Sequence, residues 1–321
     1  MDAARAGEPS PHPMNAFTPS ADIRPGSLAA WLVALRPLTL PIAAIPVVAG
    51  SALAYSLHGA FAAWIAALSL AGALLVQVIS NLQNDVGYTV RGGETGTRTG
   101  LPRATARGWL GVGTVRGAIV AAIALALAVG APLIALRGWP VAAIVVGSIV
   151  AAYAYMGGPR PIAYTPYGEA TVFAFFGVVA LVGTVYVQAG TVDATGWAAG
   201  IAFGLLAAAV LNVNNHRDIA HDASTGRRTM AVVLGARGSR RVFRASVACA
   251  FLLVPAIAVL AGSPWYLLPL VLVPSALGLV RAFDRAGSGH ALTPVLFRTV
   301  FLEAAFGLLL AAGALLATIF R

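Results

Sequence analysis

Two polar stretches interrupt a largely apolar chain, and both carry the residue types that bind divalent metals and phosphates. The second, NVNNHRDIAHDASTGRRT (Asn212 to Thr229), sets Asp218 and Asp222 four residues apart, with Asn214, Asn215 and Arg217 crowded at the same end and Arg227 and Arg228 after Gly226. Four-residue spacing puts both carboxylates on one face of a helix. Mg²⁺ takes one or two carboxylates plus phosphate oxygens and waters rather than a full protein cage, and guanidinium grips phosphate through paired N–H donors. Acids and arginines together therefore describe a magnesium-diphosphate site better than either does alone. The first stretch, SNLQNDVGYTVRGGETGTR (Ser80 to Arg98), repeats the theme with Asn81, Asn84 and Asp85, then Arg91, Glu94 and Arg98 after a glycine break. It places a phenol, Tyr88, where a second acid would be expected. The plainer alternative for one such cluster is helix C-capping with charges balanced in a solvated loop. Two similar clusters argue against it, because convergent polar groups recur at matching places.

The elements that must position these residues are membrane helices. The chain has 321 residues, 59% hydrophobic and only 10% charged, where soluble domains carry about 25% charged residues. A hydrocarbon core about 30 Å thick needs ~20 apolar residues per helix. That ruler gives nine spans, at 29–55, 60–82, 112–134, 139–156, 169–189, 196–215, 241–261, 264–283 and 294–319. The net charge of +10 comes from 21 arginines and no lysine, and its position matters more than its sum, so no nucleic-acid partner is inferred. With the N-terminus in the cytoplasm, every arginine but Arg137 and Arg321 falls on the cytoplasmic side, the side that attracts basic residues. This sidedness is itself a sufficient reason for any single arginine. Both polar stretches lie on that same side, where intramembrane carboxylates usually mark function. Residues 1–27, rich in Pro, Ser and Ala, read as a disordered cytoplasmic tail, and 28–321 as one all-α membrane domain around a central cavity. The single cysteine, Cys249, cannot form an internal disulfide and says nothing of compartment.

The strings NLQND and NVNNHRD, ending the second and sixth spans, resemble the paired acidic motifs of the UbiA superfamily of intramembrane aromatic prenyltransferases. The resemblance runs from about Trp31 to the C-terminus and is closest to the polyprenyltransferases of menaquinone synthesis that act on 1,4-dihydroxy-2-naphthoate. WLVALRPLTLPIAAIPVVAGSALAY looks like that family's first helix, and YMGGPRPIAYTPYGEATVFAFFG with GTVYVQAG looks like its fourth loop and fifth helix. The resemblance implies a bacterial-type inner-membrane enzyme that ionises a polyprenyl diphosphate and alkylates an aromatic acid, with the ring carboxylate lost as CO₂. It implies that Asn81, Asn84, Asp85 and Glu94 hold one Mg²⁺ and Asp218 and Asp222 another, with Asp85, Asp218, Asp222 and Arg228 catalytic. It further implies substrate contacts from Arg91, Arg98, Tyr88, Asn214 and Asn215, with Tyr155, Arg160 and Tyr164 steering the acceptor. The interfacial aromatic belt and the sidedness of basic residues are the alternative for the last three. Glu169 opens the fifth span, where an acid also complements the helix dipole. His216 and His221 read as solvated loop histidines.

One position departs from the family. Where the family carries a magnesium-holding aspartate, this chain has Tyr88, and a neutral phenol is a poor ligand for a hard cation. If Tyr88 occupies the metal position, Tyr88→Asp should keep or raise activity and tighten its Mg²⁺ dependence. Two other functions stay open on residues alone: the same fold with another aromatic acceptor, and a membrane carrier, since intramembrane charges also mark transport pathways. A catalytically degenerate relative is a third, resting on Tyr88.

Overall fold

In a bilayer every backbone polar group must be satisfied within the protein, which leaves a segment this apolar only the helix. The computed structural model describes residues 23–93, 100, 102–287 and 289–320. Among these, nine helices are long and apolar enough to cross a membrane: Leu28–His58, Ala63–Val90, Val112–Arg137, Trp139–Met156, Gly168–Ala189, Ala194–Arg217, Met230–Ala261, Pro264–Arg285 and Gly289–Ile319. The chain is an all-helical, multi-pass membrane protein. Its outer surface is apolar in the manner a lipid environment allows, with Val259 and Leu252 80% and 74% exposed.

Three boundaries differ from those expected. The first span is broken into α1 (Leu28–Leu35) and α2 (Leu40–His58). Arg36 between them is the one described non-glycine residue with left-handed backbone, φ 52°, and the Pro37 that follows disfavours helical geometry in its predecessor. The second span, α3 (Ala63–Val90), runs eight residues past its expected end at 82, so Asn81 to Tyr88 lie inside the helix and Arg91 caps it. The seventh, α10 (Met230–Ala261), starts ahead of 241 with a turn capped by Thr229, which accepts from the Val232 N–H, and is kinked at Gly235, φ 65° and ψ 174°. Its basic first half is tied to the end of the eighth span by Arg240, which donates to the Ala286 carbonyl at 2.8 Å, and by an Arg244–Asp284 ion pair at 2.9 Å.

Between α3 and α10 run α4 (Val112–Arg137), α5 (Trp139–Met156), α6 (Gly168–Val172), a run of wider π-helical turns over Phe173–Val182, α7 (Gly183–Ala189), α8 (Ala194–Arg217) and the short α9 (Ile219–Ser224). α11 (Val273–Arg285) and α12 (Thr293–Ile319) close the chain. Packing falls into two halves. One core joins α1, α3, α4 and α5 through Ile79, Leu82, Val86, Val115, Ile119 and Ile149. The other joins α2, α8, α10, α11 and α12 through Leu53, Phe203, Phe243, Phe251, Phe283 and Phe306. The π-turn segment is held against α8 where Gly177 meets Gly200 and Gly204. A Cβ on Gly177 would lie 2.5 Å from the Gly204 Cα, so only small residues let these backbones approach so closely.

Candidate active site

A cavity of about 1410 Å³ lies between the two halves, larger than the ~300–1,000 Å³ typical of small-molecule pockets. One end is polar, lined by Arg36, Asn84, Tyr88, Arg103, Asn214 and Arg227. The rest is apolar and reaches Leu68, Leu133, Val141 and Val187 near the other end of the bundle. From Asn84 back to Leu68 along α3 the wall runs about 24 Å at the helical rise. Leu32, Leu38 and Phe301 line the cavity and are also exposed on the outer surface, so it opens sideways between the α1–α2 break and the start of α12.

The second motif folds as the spacing requires. α8 ends at Arg217, and Asp218 bridges to α9, where the Asp222 N–H donates to the Asp218 carbonyl at 2.8 Å, one helical turn on. Arg217 binds Asp218 through Nε and Nη2 at 3.0 and 2.8 Å and also donates to Asn214 Oδ1 at 2.9 Å. Past the Gly226 turn, φ 74°, the Arg227 N–H returns to the Asp222 carbonyl, and Arg227 Nη1 reaches Asp222 Oδ1 at 2.5 Å. Burial alone works against the charge on Arg227, but Tyr88 and Asp222 beside it hold the guanidinium above the usual arginine range. Asp218, Asp222, Arg217 and Arg227 are all buried. Asn215 lines the cavity and donates to Glu169 Oε1 at 3.0 Å, which makes Glu169 a buried partner of α8 rather than an exposed helix cap.

The first motif is used differently. Asp85, expected to hold a metal, is fully buried and does not line the cavity. Its Oδ2 accepts from the Ala104 N–H and its Oδ1 from the Thr105 N–H, each at 2.8 Å, and Oδ1 also accepts from the Thr105 hydroxyl at 2.6 Å. The carboxylate thus pins the loop that carries Arg103. Asn81 braces the α1–α2 break: its Nδ2 donates to the Leu35 carbonyl at 2.8 Å and to Thr39 Oγ1 at 3.0 Å, and its Oδ1 accepts from Gln77. Asn84 faces the cavity. Tyr88 accepts from Arg227 Nη1, and the Arg103 guanidinium lies over its ring at 4.3 Å. Glu94 and Arg98 fall outside the described residues.

Other expected residues separate into cavity wall and scaffold. Tyr155 lines the cavity. Arg91 instead grips the end of α5, donating to the Met156 carbonyl at 2.8 Å and to the Gly158 carbonyl, a place where helix carbonyls favour a cation. Tyr164 stacks between Arg91 and Arg227, at 5.9 and 5.7 Å from their guanidinium carbons. Burial pushes its phenol above the ordinary range against the opposing charge of Arg227, so it stays protonated at neutral pH. Arg160 and Arg228 are exposed and do not line the cavity; the inward arginine of the pair after Gly226 is Arg227. The solvated-histidine expectation is overturned. His216 packs edge-on against Phe283 at 4.7 Å, and His221 Nε2 lies 3.0 Å from the Gly93 carbonyl, both rings buried. The Asp222-to-Arg227 return across a glycine is the one local signal for Arg227; Arg36 is marked only as a break, by the Pro37 after it, and Arg103 has no comparable mark in the sequence.

Among the described residues no three His, Cys or acidic side chains converge on a point that could hold a metal ion. Asp218 and Asp222 lie just behind the cavity wall, their oxygens held by Arg217 and Arg227; released from those arginines they would supply, with the Asn84 and Asn214 amides on the wall, the hard oxygen donors that suit one Mg²⁺ completing its shell with water and phosphate oxygens.

The model of the UbiA prenyltransferase family matches residues 43–303. The chain belongs to this family. A 1,4-dihydroxy-2-naphthoate octaprenyltransferase from Mycobacterium tuberculosis is 36% identical over 284 residues, covering 84% of this chain and 91% of the relative. The enzyme of that name from Escherichia coli is 35% identical, covering 84% and 90%. Among solved structures, a UbiA homologue from Archaeoglobus fulgidus bound to GPP and Mg²⁺ superposes with a TM-score of 0.63 at 17% identity, over 88% of this chain and 99% of that one. The apo UbiA homologue from Aeropyrum pernix K1 gives 0.67 at 17% identity, over 86% and 97%. These last two share the UbiA fold with this chain.

Proposed function

We propose that this UbiA-family protein transfers a polyprenyl group from its diphosphate to 1,4-dihydroxy-2-naphthoate, with Mg²⁺, at the cytoplasmic face of a bacterial inner membrane. The observation that carries this reading is one continuous cavity with guanidinium and amide groups at one end and a largely apolar remainder that reaches Leu68, about 24 Å along α3 from Asn84. That shape matches an amphiphile with a charged head and a long hydrocarbon tail. The naphthoate acceptor and the menaquinone pathway are supported by the names of the relatives at 35–36% identity, and the metal by the Mg²⁺ in the Archaeoglobus homologue.

The chemistry follows from what the residues can do. The allylic C1–O bond breaks with its electron pair going to diphosphate, a poor leaving group until its growing charge is stabilised. Bound at Asp218 and Asp222, Mg²⁺ supplies part of that stabilisation. Arg227 and Arg103 face the same end of the cavity and supply more, as fixed charges aimed at the departing oxygens. The apolar wall keeps water from the cation. Tyr155 and Asn215 line the cavity near this end and are placed to orient the aromatic ring. C1 bonds to the ring carbon bearing the carboxylate, and departure of CO₂ leaves its bonding pair to restore the aromatic system. Donor enters sideways, between the α1–α2 break and α12.

Purified protein is assayed with Mg²⁺, prenyl diphosphates of several lengths, and dihydroxynaphthoate beside hydroxybenzoates. The expected product by mass is a prenylated naphthoquinol lacking the carboxylate. Exclusive prenylation of another acceptor would overturn the substrate, and absence of Mg²⁺-dependent diphosphate release with every acceptor would overturn the reaction.

A further inference from the structure

Tyr88 sits at the centre of a cation pair. Its oxygen accepts from Arg227 Nη1 while the Arg103 guanidinium lies over its ring face at 4.3 Å. All three side chains are at most 6% exposed and all three line the cavity. Bringing two guanidinium groups to one buried ring is costly in low dielectric, and an aromatic face between them reduces that cost through its negative quadrupole. Asp222 already balances Arg227, so a second carboxylate at this position would bind both cations and cancel what remains of their field toward the cavity. The phenol oxygen spends a lone pair on Arg227.

The rest of the first motif is committed elsewhere. Both Asp85 oxygens are held by the backbone of the Arg103 loop, and Asn81 is held by the α1–α2 break. Asn81 and Asn84 both line the cavity, but Asn81 is taken up by Leu35, Thr39 and Gln77; Asn84 is too little for a second cation but enough to join one held by Asp218 and Asp222.

Resting on the prenyl-transfer reading above, we propose that Tyr88 is a positioning residue that presents Arg103 and Arg227 as a diphosphate clamp. The first motif then binds the anion directly, and each chain takes up a single divalent cation.

The test uses the full chain in lipid nanodiscs with a prenyl thiolodiphosphate, whose C1–S bond resists ionisation. Mn²⁺ uptake is counted by loss of the free-ion paramagnetic signal with the analogue present, and analogue affinity is measured separately in EDTA. Wild type should bind one Mn²⁺ per chain and retain measurable affinity in EDTA. Tyr88→Phe, which keeps the ring under Arg103 but removes the acceptor for Arg227, should weaken EDTA affinity about tenfold, in the range of one charge-assisted hydrogen bond, with the Mn²⁺ count unchanged. Tyr88→Asp should lose at least as much affinity in EDTA and gain a second Mn²⁺, the reverse of a simple restoration of activity. Two Mn²⁺ per wild-type chain, or unchanged EDTA affinity in Tyr88→Phe, would overturn the clamp. If two ions are found, loss of one of them in Glu94→Gln would assign it to that acid. Should Tyr88→Asp fail to fold, the wild-type count and Tyr88→Phe still decide. Wild type that turns over naphthoate with two ions sinks this inference alone; wild type that neither binds the analogue nor forms product sinks the function as well.

Discussion

At the scale of single residues, the two arginines after Gly226 make the sharpest comparison. Arg227 is buried against Asp222 and Tyr88, whereas Arg228 is exposed. Replacing each with Gln should lower kcat/KM for the donor about 10²-fold for Arg227→Gln, the scale of losing one preorganised transition-state donor. The same change at Arg228 should cost no more than about threefold, as for an exposed charge away from the site. Steady-state kinetics on both variants reads the contrast. Asp85 carries a second prediction. Asp85→Asn turns one acceptor into a donor facing the backbone N–H groups of Ala104 or Thr105, which should cost about 1–3 kcal/mol. It should show as a lower Tm and faster proteolysis of the 102–110 loop, with the Mg²⁺ requirement unchanged; a preserved Tm with a raised Mg²⁺ requirement would make it a metal ligand after all. The pairing of Asp218 with Asp222 is legible in the sequence because a helix converts a spacing of four into one face. Asp85 and Arg228 turn away from the cavity, which could not be read beforehand because composition places a side chain near a site but does not say which way it turns. That direction comes from the Gly226 turn and from a loop twenty residues away.

Among elements, the spans are legible because a bilayer leaves an apolar run of twenty residues no other structure. Their ends are less so, since polar residues carry helix past the apolar runs, to Val90 in α3 and back across the Gly235 kink to Met230 in α10, where hydropathy carries no signal. The break at Arg36 is invisible to hydropathy altogether, although the Arg-Pro pair marks it sterically. Because Arg36 holds a left-handed backbone, Arg36→Gly removes the charge and the strain while Arg36→Ala removes only the charge. The glycine variant should therefore be more stable by roughly 1 kcal/mol, measured by denaturation of the two proteins in the same detergent. Gly177 lies at a crossing with no room for a Cβ. Gly177→Leu should separate the π-turn segment from α8 and reduce folded yield to background in fluorescence-detected size exclusion.

For the molecule as a whole, the depth of the cavity limits what tail it can take. Leu68 lies on its wall about 24 Å from Asn84. Leu68→Trp should leave kcat/KM for a ten-carbon donor within about twofold while cutting that for a forty-carbon donor at least tenfold, on the scale of overpacking a filled site. Equal loss with both donors would place the tail elsewhere. The polar end has a consequence for the turnover cycle. Guanidinium groups buried around a departing anion bind it as firmly after the bond has broken as while it breaks, so free diphosphate leaves slowly. Product inhibition by diphosphate, an initial burst of prenylated product, and relief of the slow phase by added pyrophosphatase should then govern the steady state, with the chemical step hidden behind the emptying of the pocket.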